Sequence, residues 1–211
     1  MPRRDTSRAR RVAGGTLWVA AAIVALVPIA LAAFSPYLAY RSAAYIVGGF
    51  AGIVALAILL IQPLLPAGYL AGLSGPSGRR LHRWTGMALV VCVALHVGGL
   101  YIASPPDTID ALLLVSPTPF SIYGVTAMWA IVATAILVVL RRRLPLGLRA
   151  WRRWHNALAV IAVAATIVHA LQIEGAMEPI SKRVLCLAVL IATVVAVADL
   201  RVIRPLLSRR R

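Results

Sequence analysis

Residues 79–98 read RRLHRWTGMALVVCVALHVG, and this stretch decides the fold. Three arginines stand at one end of an apolar run that carries His82 and His96. Fourteen positions separate the two histidines, which on a helix leaves them about 40° apart around the axis and roughly 21 Å apart along it. Both therefore project from nearly one face, one toward each edge of a hydrocarbon core about 30 Å thick. Residues 151–170, WRRWHNALAVIAVAATIVHA, repeat the pattern with His155 and His169 at the same spacing. The chain has four histidines, so the two pairs use all of them.

Of the 211 residues, 61% are hydrophobic and 13% charged, more apolar surface than a soluble domain of this size can bury, so a polytopic membrane protein is expected. Six runs are long enough to span: 15–34, 43–62, 82–103, 120–140, 153–173 and 183–200. The formal charge of +16 is not interleaved with aromatics on one surface, so it points to membrane lipid and topology, not to nucleic acid. Nineteen of the 22 basic residues flank one side of the spans: Arg3 to Arg11, Arg79 to Arg83, Arg141 to Arg153 and Arg201 to Arg211. Arg41, Lys182 and Arg183 flank the other. The positive-inside rule then puts both termini in the cytoplasm. The expected organisation is a basic cytoplasmic tail over 1–14, a six-helix bundle over 15–200 and a second basic cytoplasmic tail over 201–211, in the plasma (bacterial inner) membrane. Ala30-Leu31-Ala32 imitates a signal-peptidase site, but the apolar run before it is longer than a usual signal core, so retention of residues 1–32 is expected.

The longest connection, about 104–119, holds Asp107 and Asp110 between prolines. It reads as a short helix capped by Asp107, with Asp110 near its start, lying at the outer surface. Pro28 falls inside the first span; Gly48, Gly49 and Gly52 in the second permit close helix packing. Cys92 and Cys186 both lie within spans and read as small buried hydrophobes. No G-x-G-x-x-G after a strand, Walker A or C-x-x-C occurs, so no nicotinamide, flavin or iron–sulfur site is expected within the chain.

The third and fifth spans run in the same direction, which pairs His82 with His155 and His96 with His169 by depth. Imidazole is the commonest metal-binding side chain, and ionisable groups inside a membrane are usually functional. Ligands roughly 21 Å apart cannot share one zinc ion. Two bis-histidine sites suit two stacked haems and a transmembrane electron path. Arg83, Arg152 and Arg153 adjoin the inner histidines and are expected to pair with the inner propionates. Small residues on the intervening faces, Gly86 and Ala159 among them, would let a flat macrocycle approach the backbone. Two other classes remain: a transporter using the histidines for metal or protons, weakened by the lack of carboxylates deep in a span, and a haemless scaffold.

Arg80-Leu81-His82-Arg83, His96, Trp151-Arg152-Arg153-Trp154-His155-Asn156 and His169 together resemble the ferric-reductase-like transmembrane domain superfamily over about 43–200. That group includes ferric reductases, NADPH oxidases and the haem subunit of the periplasmic methionine sulfoxide reductase system. The resemblance implies a six-helix bundle in which His82, His96, His155 and His169 are axial ligands of two b-type haems. It further implies a cytoplasmic donor such as a flavin reductase, with flavin entering only through that partner or at the cytoplasmic surface. The acceptor it implies lies outside: a ferric chelate, oxygen or a partner reductase. The chain then serves as the membrane component of an oxidoreductase, without an NAD(P)H or FAD domain. In stopping at Arg211 it is similar to the methionine sulfoxide reductase subunit; in its full four-histidine set it differs from that subunit.

Overall fold

The computed structural model describes residues 3–209, with side-chain surroundings from residue 14 to residue 208. The side chains of Arg3, Arg4, Arg8, Arg10, Arg11 and Arg209, and all of Arg210 and Arg211, lie outside the described residues. The described chain is helical throughout its regular structure. In order come α1 (Arg3–Ala33), α2 (Ala43–Ala67), α3 (Pro76–Ala103), α4 (Pro105–Leu112), α5 (Pro119–Val139), α6 (Leu148–Gln172), α7 (Pro179–Ala198) and α8 (Arg204–Arg209). All except α4 belong to the six helices long and apolar enough to cross a membrane, the last of which, Pro179–Ser208, runs from α7 into α8. The third and fifth spans are α3 and α6.

Several helices start earlier than the apolar runs suggested. Proline occupies the first turn of α3, α4, α5 and α7, where its missing N–H breaks no helical hydrogen bond and its fixed φ suits the helix. Hydropathy registers only where a helix turns apolar, so it places the start of α3 six residues late. The amide groups that open α7 are capped by Glu178, whose carboxylate accepts from Ile180 N at 2.8 Å and Ser181 N at 2.6 Å. Those backbone donors, Ser181 first, hold the Glu178 carboxyl below its usual range. At the other end of α2, Gly68 takes the left-handed conformation (φ 72°) that closes the helix.

Within the connection before α5, Ser104 holds the cap position of α4 and its hydroxyl donates to Asp107 Oδ2 at 2.6 Å. Asp107 is thus a first-turn residue and not the cap, because two prolines advance the start of the helix. Asp110 sits near the end instead, where its carbonyl accepts from Val115 N and Ser116 N.

The core is built around α2. Its Leu56, Leu59, Leu60, Leu64 and Leu65 pack with Leu185 and Val189 of α7, Leu89 of α3, Ala130 and Ile131 of α5, and Ala162 and Val163 of α6. Large apolar side chains such as Ile23, Met87, Val91 and Ile191 face outward, as lipid-contacting residues do. Close helix pairing occurs twice, α2 with α3 and α5 with α6, and α7 joins the two pairs. Gly48 and Gly99 bring α2 against α3: a Cβ on Gly99 would stand 2.7 Å from the Cα of Gly48. Gly49, by contrast, faces open space.

Lys182 does not flank the bundle as a free charge. It is buried, and its Nζ donates to Ile173 O at 2.6 Å, just past the C-terminal end of α6 where a cation is favoured. Both cysteines are free, with Cys186 buried. At the arginine-rich end, a π-helical turn, Asp199–Ile203, follows α7. Asp199 accepts from Tyr69 at 2.7 Å and pairs with Arg204 at 2.7 Å. Arg204 also donates to Ala67 O at 2.8 Å, tying this turn to the end of α2.

Candidate functional site

The two close pairs do not press α3 directly onto α6; side chains meet across the space between them. At the arginine-rich end the rings of His82 and His155 face one another with centroids 6.1 Å apart and planes at 72°. At the far end His96 and His169 do the same at 6.3 Å and 81°. The depth pairing expected from spacing is therefore what the helices produce.

Three of the four rings are held by a backbone carbonyl of the neighbouring helix. His96 Nδ1 lies 2.8 Å from Gly48 O, His169 Nδ1 lies 2.8 Å from Phe120 O, and His82 Nδ1 lies 3.1 Å from Gln62 O. A carbonyl only accepts, so each of these Nδ1 atoms carries the proton and donates it. The lone pair of Nε2 is left as the available metal ligand, and the hydrogen bond on the other nitrogen raises its basicity.

The far-end rings need glycine beside them. A Cβ on Gly52 would stand 2.8 Å from His96 Nδ1, and one on Gly124 would stand 2.7 Å from His169 Cε1. In each case the glycine follows the accepting carbonyl by four residues, one helical turn. The same device thus occurs in both helix pairs: carbonyl and glycine on the first helix, histidine on the second.

The near-end sites are built differently from each other. Gln62 accepts from His82 through its backbone and donates through its side chain to Thr85 Oγ1 at 3.1 Å. Thr134, as far beyond Phe120 as Gln62 is beyond Gly48, turns its hydroxyl to Ala130 O instead. His155 Nδ1 is buried without a hydrogen-bond partner. Its ring lies flat against Trp151, centroids 5.2 Å apart and planes 11° apart. Trp151 Nε1 donates to Leu137 O at 3.3 Å, and the Arg141 guanidinium sits 5.3 Å above the indole.

Among the described residues, no group of three or more His, Cys, Asp or Glu side chains converges. Arg83, Arg152 and Arg153 are exposed at the near end and make no hydrogen bond or ion pair among the described residues. Arg201, expected only as part of the basic tail, donates to Asn156 Oδ1 at 2.9 Å. A Cβ on Gly86 would stand 3.5 Å from Gln62 Nε2.

The family described as ferric reductase like transmembrane component matches residues 49–166, more than half of the chain. The chain belongs to this family. Membership assigns it a role in transmembrane electron transfer, in a family that typically binds haem and works with redox partners. The matched stretch contains His82, His96 and His155, while His169 stands three residues beyond it. No curated protein and no solved structure matches the chain.

Proposed function

We propose that this ferric-reductase-like chain conducts electrons across the membrane through two b-type haems, one between His82 and His155 and one between His96 and His169. The observation that carries the reading is the separation of the paired rings. Two metal–nitrogen bonds of about 2.0–2.1 Å, each extended by the ~1.1 Å from a ring nitrogen to its centroid, require about 6.2–6.4 Å between centroids. The far-end rings stand 6.3 Å apart, within that range, and the near-end rings 6.1 Å apart, just under it. Each level supplies two nitrogens and no third side-chain ligand among the described residues, which suits a metal whose remaining positions are filled by a macrocycle. Bis-histidine haem supplies one-electron transfer without an open coordination position.

The chain's own residues have definite parts in this account. Gly48, Phe120 and Gln62 hold three imidazoles by their carbonyls, leaving Nε2 as the nitrogen that would bind iron. Gly52 and Gly124 leave the rings room beside the helix. Leu89 of α3 and Ala162 and Ala165 of α6, buried between the two histidine levels in sequence, add no polar group there. Arg83, Arg152 and Arg153 stand at the level of His82 and His155 as partners for propionates.

The arginine-rich end faces the cytoplasm in this reading, as the positive-inside rule requires. Electrons enter there from a flavin-dependent donor and leave toward a ferric chelate, oxygen or a partner reductase. Liposomes containing the purified protein and an entrapped ferric chelate test the function. With a reductant added outside, reduction of the entrapped chelate is expected only in protein-containing vesicles. A colourless protein that leaves the chelate oxidised would leave the metal or proton transporter as the surviving alternative.

A further inference from the structure

Counting back four residues from each near-end histidine reaches two very different side chains. Before His82 stands Gly78, buried against the backbone of Leu65 and Leu73. Before His155 stands Trp151. His82 has a carbonyl to hold its Nδ1, from Gln62. His155 has none, and the indole of Trp151 lies parallel to its ring. The indole is itself fixed from two sides, by its bond to Leu137 O and by the Arg141 guanidinium over its face.

We infer that Trp151 is the positioning residue of His155, setting by stacking the ring rotation that backbone carbonyls set for the other three histidines. A hydrogen bond at Nδ1 fixes an imidazole's rotation about its metal–nitrogen bond, because the acceptor lies in the ring plane. Without one, rotation is limited only by what the ring's faces touch. A parallel indole provides that limit, since turning the imidazole drives its edge into the indole face. The 72° between His82 and His155 thus depends on Trp151, whereas the 81° between His96 and His169 depends on Gly48 O and Phe120 O.

The inference rests on the haem reading, and it has its own spectroscopic signature. Near-perpendicular imidazole planes give a low-spin ferric haem a strongly anisotropic electron paramagnetic resonance signal with a large maximal g value. Planes that rotate toward parallel lose it. The experiment uses the full-length protein in detergent, comparing wild type with Trp151→Phe and Trp151→Leu.

Phenylalanine keeps a flat face but loses the bond to Leu137, while leucine loses both. In the wild type, both haems are expected to give the large-g signal. Trp151→Leu should convert about half of that signal to a less anisotropic one or lose it with one haem, the other haem staying as in wild type. Trp151→Phe should retain both signals. A Trp151→Leu protein with the wild-type spectrum overturns the inference, and so does a Trp151→Phe protein that behaves like leucine, since the tether to Leu137 would then be what matters. A wild type without haem signals overturns the haem reading itself.

Discussion

The ring of His96 rests against Gly52: a Cβ at that position would stand 2.8 Å from Nδ1, the atom that donates to Gly48 O. No real Cβ sits so close, so alanine at this position must move the imidazole or the backbone. Gly52→Ala is therefore expected to cost about 1–3 kcal/mol of local overpacking and to lower far-end haem content while sparing the near-end haem. Gly124→Ala should do the same through His169. Gly49→Ala, pointing into open space, should leave both haems in place. Haem content and visible spectra of the three variants check this.

The pairing of the four histidines was legible in the sequence because histidine is rare here and the spacing repeats. Their supports were not. A backbone carbonyl such as Phe120 O carries no side-chain signature, and Gly124 stood out from no other glycine. Gly52 was singled out as a helix-packing residue, yet what it accommodates is an imidazole. Nothing in the sequence set Trp151 apart from Trp84 and Trp154, but those two are exposed whereas Trp151 is partly buried against His155. Lys182 counted as a flanking charge because sequence does not show a side chain folding back onto the preceding helix end.

The distribution of arginines predicts the orientation. A reporter fused to the C-terminus should behave as cytoplasmic, and one inserted between α4 and α5 as external. The reverse pattern would exchange which histidine pair receives electrons first.

Arg83, Arg152 and Arg153 have no protein partner among the described residues, whereas Arg201 is already held by Asn156. Replacing a propionate-binding arginine by glutamine removes positive charge beside the near-end haem, which should lower its reduction potential and spare the far-end haem. Redox titration of the single variants checks it. If none of the three shifts the near-end potential selectively, these arginines serve topology alone.

Burial, with Asp199 as hydrogen-bond acceptor, pushes the Tyr69 phenol up from 10.0 to about 12. The folded state therefore favours the neutral phenol more than the unfolded state does. The resulting stabilisation is complete below about pH 10 and is lost as pH rises toward 12. Thermal unfolding followed across this range should fall more steeply with pH in wild type than in Tyr69→Phe. Parallel curves would mean that the contact with Asp199 contributes nothing to holding α2 against the π-turn.

The stoichiometry of haem per chain, read from a quantified reduced-minus-oxidised spectrum, tests the two-level arrangement most directly. Two low-spin b-type haems are expected in the wild type. One should remain in His96→Ala, which breaks the far-end pair, and one in His82→Ala, which breaks the near-end pair. A single haem in the intact protein, or a variant that loses both from one substitution while still inserted in the membrane, would contradict two independent sites stacked across the bilayer.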